Sequence, residues 1–354
     1  MRRRKDRGIA LLLALLVLII LVVVILEMAA TSLHNRTLAE NHLSDLQDTY
    51  GARAGLARAM LFLQADLEQA PDVDSLREMW ATPIEFTLGK AAVRVQICDA
   101  ERFINLSMLT NDKGEPNPVV VSQLKRLVKI LKLTPDIADR IIDYIDADSK
   151  GEFEANAKND KLFNLEELLR IDGLTPEIVY GGVFPDGERK GLREFLTIWP
   201  KTADGGVPPG TVNINTAPVE VLWSLSDQMT QGVAEAIVAY RTQPGPDGKP
   251  QEFTKPDDLK RVQGMNDGIY ASLTGQIAVK SSTFEVRARG TVGKVEKAWV
   301  YAVQRQAGGG TASGTPPANP PPSGTGAPPA KASLVLVGAQ PLNDFTSAKP
   351  EEEK

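Results

Sequence analysis

The feature that most constrains this chain is its start. A basic stub, Met1 to Gly8, runs directly into eighteen uninterrupted apolar residues, Ile9 to Leu26. A run of that length spans a bilayer as a helix. The Arg2-Arg-Arg-Lys5 cluster and Arg7 favour a cytoplasmic amino terminus, which sends the rest of the chain to the other side. A secretory signal has a shorter apolar region followed by a small-residue cleavage site. Ala29-Ala30-Thr31 imitates that site weakly, but helical spacing carries on past it through Leu33, Leu38, Leu46, Tyr50, Ala54, Ala57, Leu61 and Leu67. No proline intervenes before Pro71. The pattern predicts one helix over roughly 9–70, about 90 Å long, with its first third in lipid and the rest projecting outward.

Beyond this rod lie about 235 residues of head, enough for one large or two small domains. Phe86-Thr-Leu88 and Ala91 to Cys98 alternate apolar and polar, predicting a hairpin that turns at Gly89-Lys90. Thr283 to Gly290 and Lys294 to Val303 alternate again, predicting a second hairpin across Thr291-Val-Gly293. Between the two the pattern is helical. Ser122 precedes a face of Leu124, Leu127, Val128 and Leu131. Helix starts are marked at Thr134-Pro135-Asp136, Asn164, Thr175-Pro176-Glu177 and Thr216-Ala-Pro218, and a further helix runs from Gln231 to Arg241. Two strand regions around a helical block predict an α+β protein: a long helix, a small antiparallel sheet and a large all-α insertion. The expected divisions are 1–8, 9–70, a sheet from 71–102 and 275–305, an insertion over 103–274, and a tail over 306–354. The tail is rich in Gly, Pro, Ser, Thr and Ala and is expected to be disordered. It holds an apolar island, Leu334-Val-Leu-Val337, with no assigned role.

The charge balance argues against a nucleic-acid partner. Charged residues are 24% of the chain and the net charge is -5, whereas nucleic acid calls for a basic face. The single cysteine, Cys98, excludes an internal disulfide and reads as a small buried residue. His34 and His42 stand eight apart on the rod with no metal spacing around them. With no phosphate-cradling loop, nucleophile elbow or zinc signature, the chain is not expected to be an enzyme. One cluster carries possible chemistry: Asp143, Asp146, Asp148, Glu154 and Asp160, with Asn156 nearby. Asp146-x-Asp148-x-x-Gly151 follows the first half of a calcium loop, in which alternate carboxylates converge on the ion. It is not an EF-hand, because Lys150 takes a ligand position and the twelfth residue is Ala157. The competing reading is a solvated acidic helix end, although Asp146 and Asp148 there oppose the helix dipole.

Phe103-Ile-Asn-Leu-Ser107 and Val212-Asn-Ile-Asn-Thr216 each precede a helix pair, a sign of internal repetition. The second unit resembles the helix-hairpin-helix, SAM-like modules of DNA-uptake and repair proteins. Those modules hold a DNA phosphate on a Gly-apolar-Gly hairpin. Here Ser226-Asp-Gln-Met-Thr230 has no such glycines and carries Asp227, so a protein-contact role is expected.

The start, with its basic leader ending in Gly8, resembles the type IV prepilin and pseudopilin families. The resemblance implies cleavage between Gly8 and Ile9 by a prepilin peptidase, and methylation of the new terminus. Most pilins have glutamate at the fifth mature position, where this chain has Leu13. Glutamate there is kept to pair with a neighbouring terminus, so a subunit without it suits the end of a fibre. Together with Asn213-Ile-Asn-Thr-Ala-Pro218 and the inserted helical block, residues 1 to about 305 resemble the K-type minor pseudopilins of type II secretion systems. That family implies a pilin-like sheet with an inserted α-domain, an inner-membrane anchor and a periplasmic head. It also implies a pseudopilus-tip position with minor pseudopilins I and J, and a calcium-stabilised loop matching the acidic stretch. Two rivals are a membrane-anchored DNA-uptake protein and a type IV pilus minor pilin.

Overall fold

The computed structural model describes residues 5–184, 187–199, 208–245, 248, 251–293, 295–306 and 333–342. Helix α1 spans Lys5–Gln69. No proline interrupts it, and its hydroxyl residues return to the helix: Thr31, Thr37, Ser44 and Thr49 each donate to the carbonyl four residues back. Residues 11–42 are exposed all around, and among the described residues this is the one helix long and apolar enough to cross a membrane. From Asp48 onward one face becomes buried, through Ala52, Ala59 and Leu63.

That face sits on a sheet. After a 3-10 turn at Met79–Ala81 come β1 (Ile84–Leu88) and β2 (Ala91–Asp99), an antiparallel pair closed by Gly89 at a φ of 61°. Along β2, Ala91, Val93, Val95 and Ile97 face the helix while the residues between them are exposed. The chain then leaves the sheet for 183 residues, 100–282. In order it forms β3 (Ile104–Asn105), α2 (Pro118–Ile130), α3 (Asp136–Ile145), α4 (Pro176–Tyr180), the hairpin β4 (Gly181–Phe184) and β5 (Gly187–Lys190), and β6 (Leu196–Thr197). It continues with β7 (Val212–Asn213), α5 (Val219–Ser224), α6 (Gln231–Thr242), α7 (Asp267–Ser272) and β8 (Ile277–Ala278). The sheet resumes with β9 (Thr283–Val292) and β10 (Val295–Gln306) and gains β11 (Ser333–Pro341). Its order is β1-β2-β9-β10-β11, every neighbour antiparallel. Trp80 stands edge-on to Phe284, centroids 5.1 Å apart, in the core between α1 and the sheet.

The two halves of the insertion share one order of elements, with the β4–β5 hairpin added in the first. Each half opens with a two-residue strand, continues through a helix pair, a 3-10 helix (Leu165–Arg170 or Pro256–Arg261) and a short helix, and closes with a strand parallel to the first. One apolar core runs through both halves.

The α+β class and the insertion match expectation; several details do not. The insertion is not purely helical, since parallel ladders β3–β6 and β7–β8 tie each half closed. The sheet resumes at Thr283, and 275–282 belongs to the insertion because β8 pairs with β7. Helix α2 starts at Pro118 with Asn117 as its cap, which accepts from Val119 N–H at 3.0 Å, so Ser122 lies inside the helix. The tail is not disordered throughout: the apolar island at 334–337 lies in β11, at the edge of the sheet. The rest of the expected tail, 307–332 and 343–354, lies outside the described residues, as do residues 1–4 of the leader.

Candidate metal centre and the sheet–insertion junction

Gly8 and Ile9 lie within continuous helix in α1, and Leu26 closes an apolar stretch exposed on every side.

The acidic loop begins where α3 ends. Asp146 caps that helix, its N–H bonding Ile142 O at 2.9 Å, so its carboxylate stands at the negative end of the dipole. Asp146, Asp148 and Glu154 bring carboxylate oxygens within 4.8 Å of one another. Asp146 is 5% exposed, and its Oδ1 has no hydrogen-bond partner; both carboxylate oxygens of Glu154 are likewise buried and unpartnered. Burial, followed by the charges of Asp148, Glu154 and Asp143, pushes the Asp146 carboxyl up to about 6. Orphaned buried oxygens of this kind are costly without a compensating charge. Hard divalent cations take six to eight oxygen donors, so these carboxylates fit part of such a set.

The other expected ligands act differently. Asp143 accepts from Phe153 N–H at 2.9 Å and lies directly against Gly151, where any side chain would collide with its carboxylate. Asp143 thus shapes the loop, and the Arg140 guanidinium, 3.9 Å above the Phe153 ring, holds the same turn. Asp160 accepts from Lys161 N–H at 2.7 Å and is not in the three-carboxylate group. Asn156 is turned to Asp172 at 3.0 Å. Asn159, not expected, has a buried Oδ1 without a partner, and its N–H bonds Tyr144 O just ahead of Asp146. Nothing in the sequence marks it out; its backbone lies in the left-handed region at a φ of 53°, which asparagine tolerates.

A second polar centre joins insertion to sheet, and the Asn-Ile-Asn-Thr motif builds it. Asn213 Nδ2 donates to Asp74 O, Asp99 Oδ2 and Ser281 Oγ at 3.1, 3.1 and 2.8 Å. Asp99, at the end of β2, also accepts from Thr216 Oγ1 at 2.5 Å and Ser281 Oγ at 2.7 Å. Asn215 exchanges two bonds with the Phe253 backbone, both 2.9 Å. Glu101 gathers Ser282 N–H, Ser282 Oγ and Thr283 N–H on one oxygen. Below it, Arg305 of β10 pairs with Asp74 at 2.6 Å and with Asp66 of α1. Burial raises the carboxyls of Asp99, Asp74 and Glu101, Asp74 to about 6 and Glu101 to about 7. Asp66, Asp74 and Glu78 also converge, but Arg305 already neutralises two of them.

The remaining sequence candidates resolve simply. Cys98 is buried, which raises its thiol. His34 and His42 are exposed on α1. Around the turn between α5 and α6, Arg126 of α2 donates to Ser224 O at 2.6 Å and Leu225 O at 2.8 Å and lies 3.4 Å from the exposed Asp227. The Gln228 and Met229 amides bond Ser226. Those two amides are not presented to a phosphate.

Two family models match the insertion, one to each half. Residues 102–180 match the type II secretion system protein K model, and 207–278 match the helix-hairpin-helix motif. The fold is similar to one chain in the crystal structure of the GspK-GspI-GspJ complex from the enterotoxigenic Escherichia coli type 2 secretion system. The TM-score is 0.60 at 18% identity, covering 88% of this chain and 99% of that one. Among curated proteins, none matches.

Proposed function

We propose, from the premise that this chain belongs to the protein K family of the type II secretion system, that it caps or initiates the periplasmic pseudopilus as its tip subunit. The chain is a minor pseudopilin; the tip position is our reading. One observation carries it: an insertion of 183 residues stands between β2 and β9, on a sheet carried by a single rod. A helical fibre stacks rods side by side, and a head enlarged in this way fits where no further subunit follows. Leu13 supports the same place, because a terminal subunit needs no glutamate to pair with a neighbour's amino terminus.

In this reading the apolar part of α1 anchors the precursor in the inner membrane, with the head in the periplasm. A prepilin peptidase cuts between Gly8 and Ile9, and the new terminus is methylated. The partners are the I and J minor pseudopilins, by analogy with the complex formed by the E. coli protein. No reaction is assigned to the chain; its role is assembly. We assign calcium to Asp146, Asp148 and Glu154, with their orphaned oxygens as the supporting observation. The ion would supply the positive charge that this helix end lacks and fix the loop. The helix-hairpin-helix match is taken as architecture, because two of the turn amides are used within the protein and the exposed Asp227 would repel a phosphate.

Co-expression of the full chain with I- and J-type pseudopilins, followed by purification in detergent, tests this. We expect a stoichiometric ternary complex and a mature mass beginning at Ile9. No complex, a mass beginning at Met1, or salt-sensitive binding to duplex DNA would overturn the reading.

A further inference from the structure

We propose that the β10 edge is a strand-acceptor site and that its ligand is residues 333–342 of this same chain, docking reversibly as a clip that fastens the insertion to the sheet. The first observation is a mismatch of length. Gln306 and Ser333 face one another in the β10–β11 ladder. Two to five residues suffice to connect such a pair. Here 26 residues intervene, 307–332, all Ala, Gly, Pro, Ser or Thr except Asn319 and Lys331. The intervening stretch is therefore far longer than the docked position needs.

The second observation is how little of β11 is buried: Leu334 packs half-buried against the rod–sheet core, and no other residue of the strand belongs to that core. The described residues of β2, β9 and β10 bury an alternating set, whereas no residue of β11 is buried. Leu336 is 45% exposed and Val337 39%. The ladder to β10 supplies the attachment, with a register shift between Ala302 and Val303. Segments with few buried apolar contacts open at low free-energy cost relative to a core strand. The sequence of 333–342, Ser-Leu-Val-Leu-Val-Gly-Ala-Gln-Pro-Leu, is uncharged and rich in strand formers, as an edge-binding peptide requires.

The third observation gives the clip its purpose and specificity. β11 touches both units at once. On the sheet side Leu342 N–H donates to Ala298 O at 2.9 Å. On the insertion side Gln340 donates to Phe163 O, and Gly338 lies flat against the Trp199 ring, where any side chain would collide. Released, β11 bares a row of β10 main-chain groups and uncovers Trp199, which is 3% exposed when the clip is closed. Covalent linkage through 26 residues sets an effective concentration on the order of 1 mM for the detached strand. A free-peptide affinity of roughly 10–100 μM would then leave about 1–10% of molecules open.

Two experiments on the chain in detergent decide the matter. Hydrogen exchange of the full chain should show the β11 amides, and the β10 amides facing them, exchanging at least about 100-fold faster than those of β2 and β9. A labelled peptide of residues 333–342 should bind a chain truncated after Gln306, and its Gly338→Leu counterpart should not. In the full chain, Gly338→Leu should speed exchange in β11 further while leaving β2 and β9 unchanged. The proposal is overturned by β11 protection equal to that of β9, or by a truncated chain that does not fold. It is equally overturned by a folded truncated chain that ignores the peptide or binds both peptides alike.

Discussion

Gly51 and Gly55, one helical turn apart on α1, form the notch by which the rod sits on the sheet. A methyl added at Gly55 would lie 2.8 Å from Val95 Cγ2 and 2.9 Å from the Ala288 methyl, against about 3.5–4.0 Å for carbon atoms at rest. Neither neighbour can turn away: Ala288 has no rotamer, and valine is stiff about its one torsion. The helix and sheet must therefore part by close to 1 Å, an overpacking that costs about 1–3 kcal/mol. At Gly51 the closest atom is Val93 Cγ2 at 3.3 Å, a contact that a few tenths of an ångström relieve. Both Gly→Ala changes gain the same helix propensity, about 1 kcal/mol. Comparing the two variants cancels that gain and isolates the packing term. Gly55→Ala should be less stable than Gly51→Ala by about 1–3 kcal/mol, and Gly51→Ala should be equal to or above the unaltered chain. At about 2–4 °C per kcal/mol for a domain of this size, the two melting temperatures should differ by about 2–12 °C, read by near-ultraviolet circular dichroism. A Gly55→Ala chain that melts at or above Gly51→Ala would refute the close seating of α1 on β2 and β9.

Calcium at millimolar concentration should raise the melting temperature and a chelator should lower it; Asp146→Asn should remove most of the difference, and an unchanged response in that variant would exclude Asp146 as a ligand. The Glu101 carboxyl is raised from its ordinary 4.5 to about 7 by burial and then by the Asp99 charge, so the fold favours its protonated form. Its contribution is full below about 4.5 and is lost as pH climbs to about 7, a change of about 3 kcal/mol at 1.36 kcal/mol per pH unit. Melting temperature should fall over that window, and Glu101→Gln should flatten part of the fall; a slope unaltered by Glu101→Gln would exclude it.

What could be read from the residues follows the range of the interactions involved. The rod was legible because its signals are local: continuous apolar or helix-compatible residues and no proline before Pro71. The β1–β2 and β9–β10 hairpins were legible from strict alternation around Gly89 and Gly293, both at a φ of 61°. β11 was not, because Leu334 to Val337 pair with β10 across a long Pro-rich stretch, and nothing in four apolar residues names a distant partner. The two parallel ladders span two residues each, too short for any periodicity. The start of α2 was misplaced although Asn117-Pro118 is a cap followed by a first-turn proline. In the acidic loop, spacing singled out Asp146 and Asp148, whose carboxylates converge with that of Glu154, but it could not show that Asp143 turns back to brace Gly151 and Phe153. The motif from Asn213 to Thr216 was visible as a pattern; its work in tying Asp74, Asp99 and Ser281 together depends on residues 68 to 139 positions from Asn213.

The place where the insertion joins the sheet has a consequence for how such a head can change. Asp99, at the end of β2, faces Phe284, at the start of β9, across one rung of the ladder. The departing and returning chain ends are therefore neighbours, and a short turn could join them with the rod and sheet unmoved. Cargo can be enlarged, trimmed or exchanged at that doorway without disturbing the mast that carries it. The same mast could thus serve very different mastheads, at the expense of the polar knot that now holds this one upright.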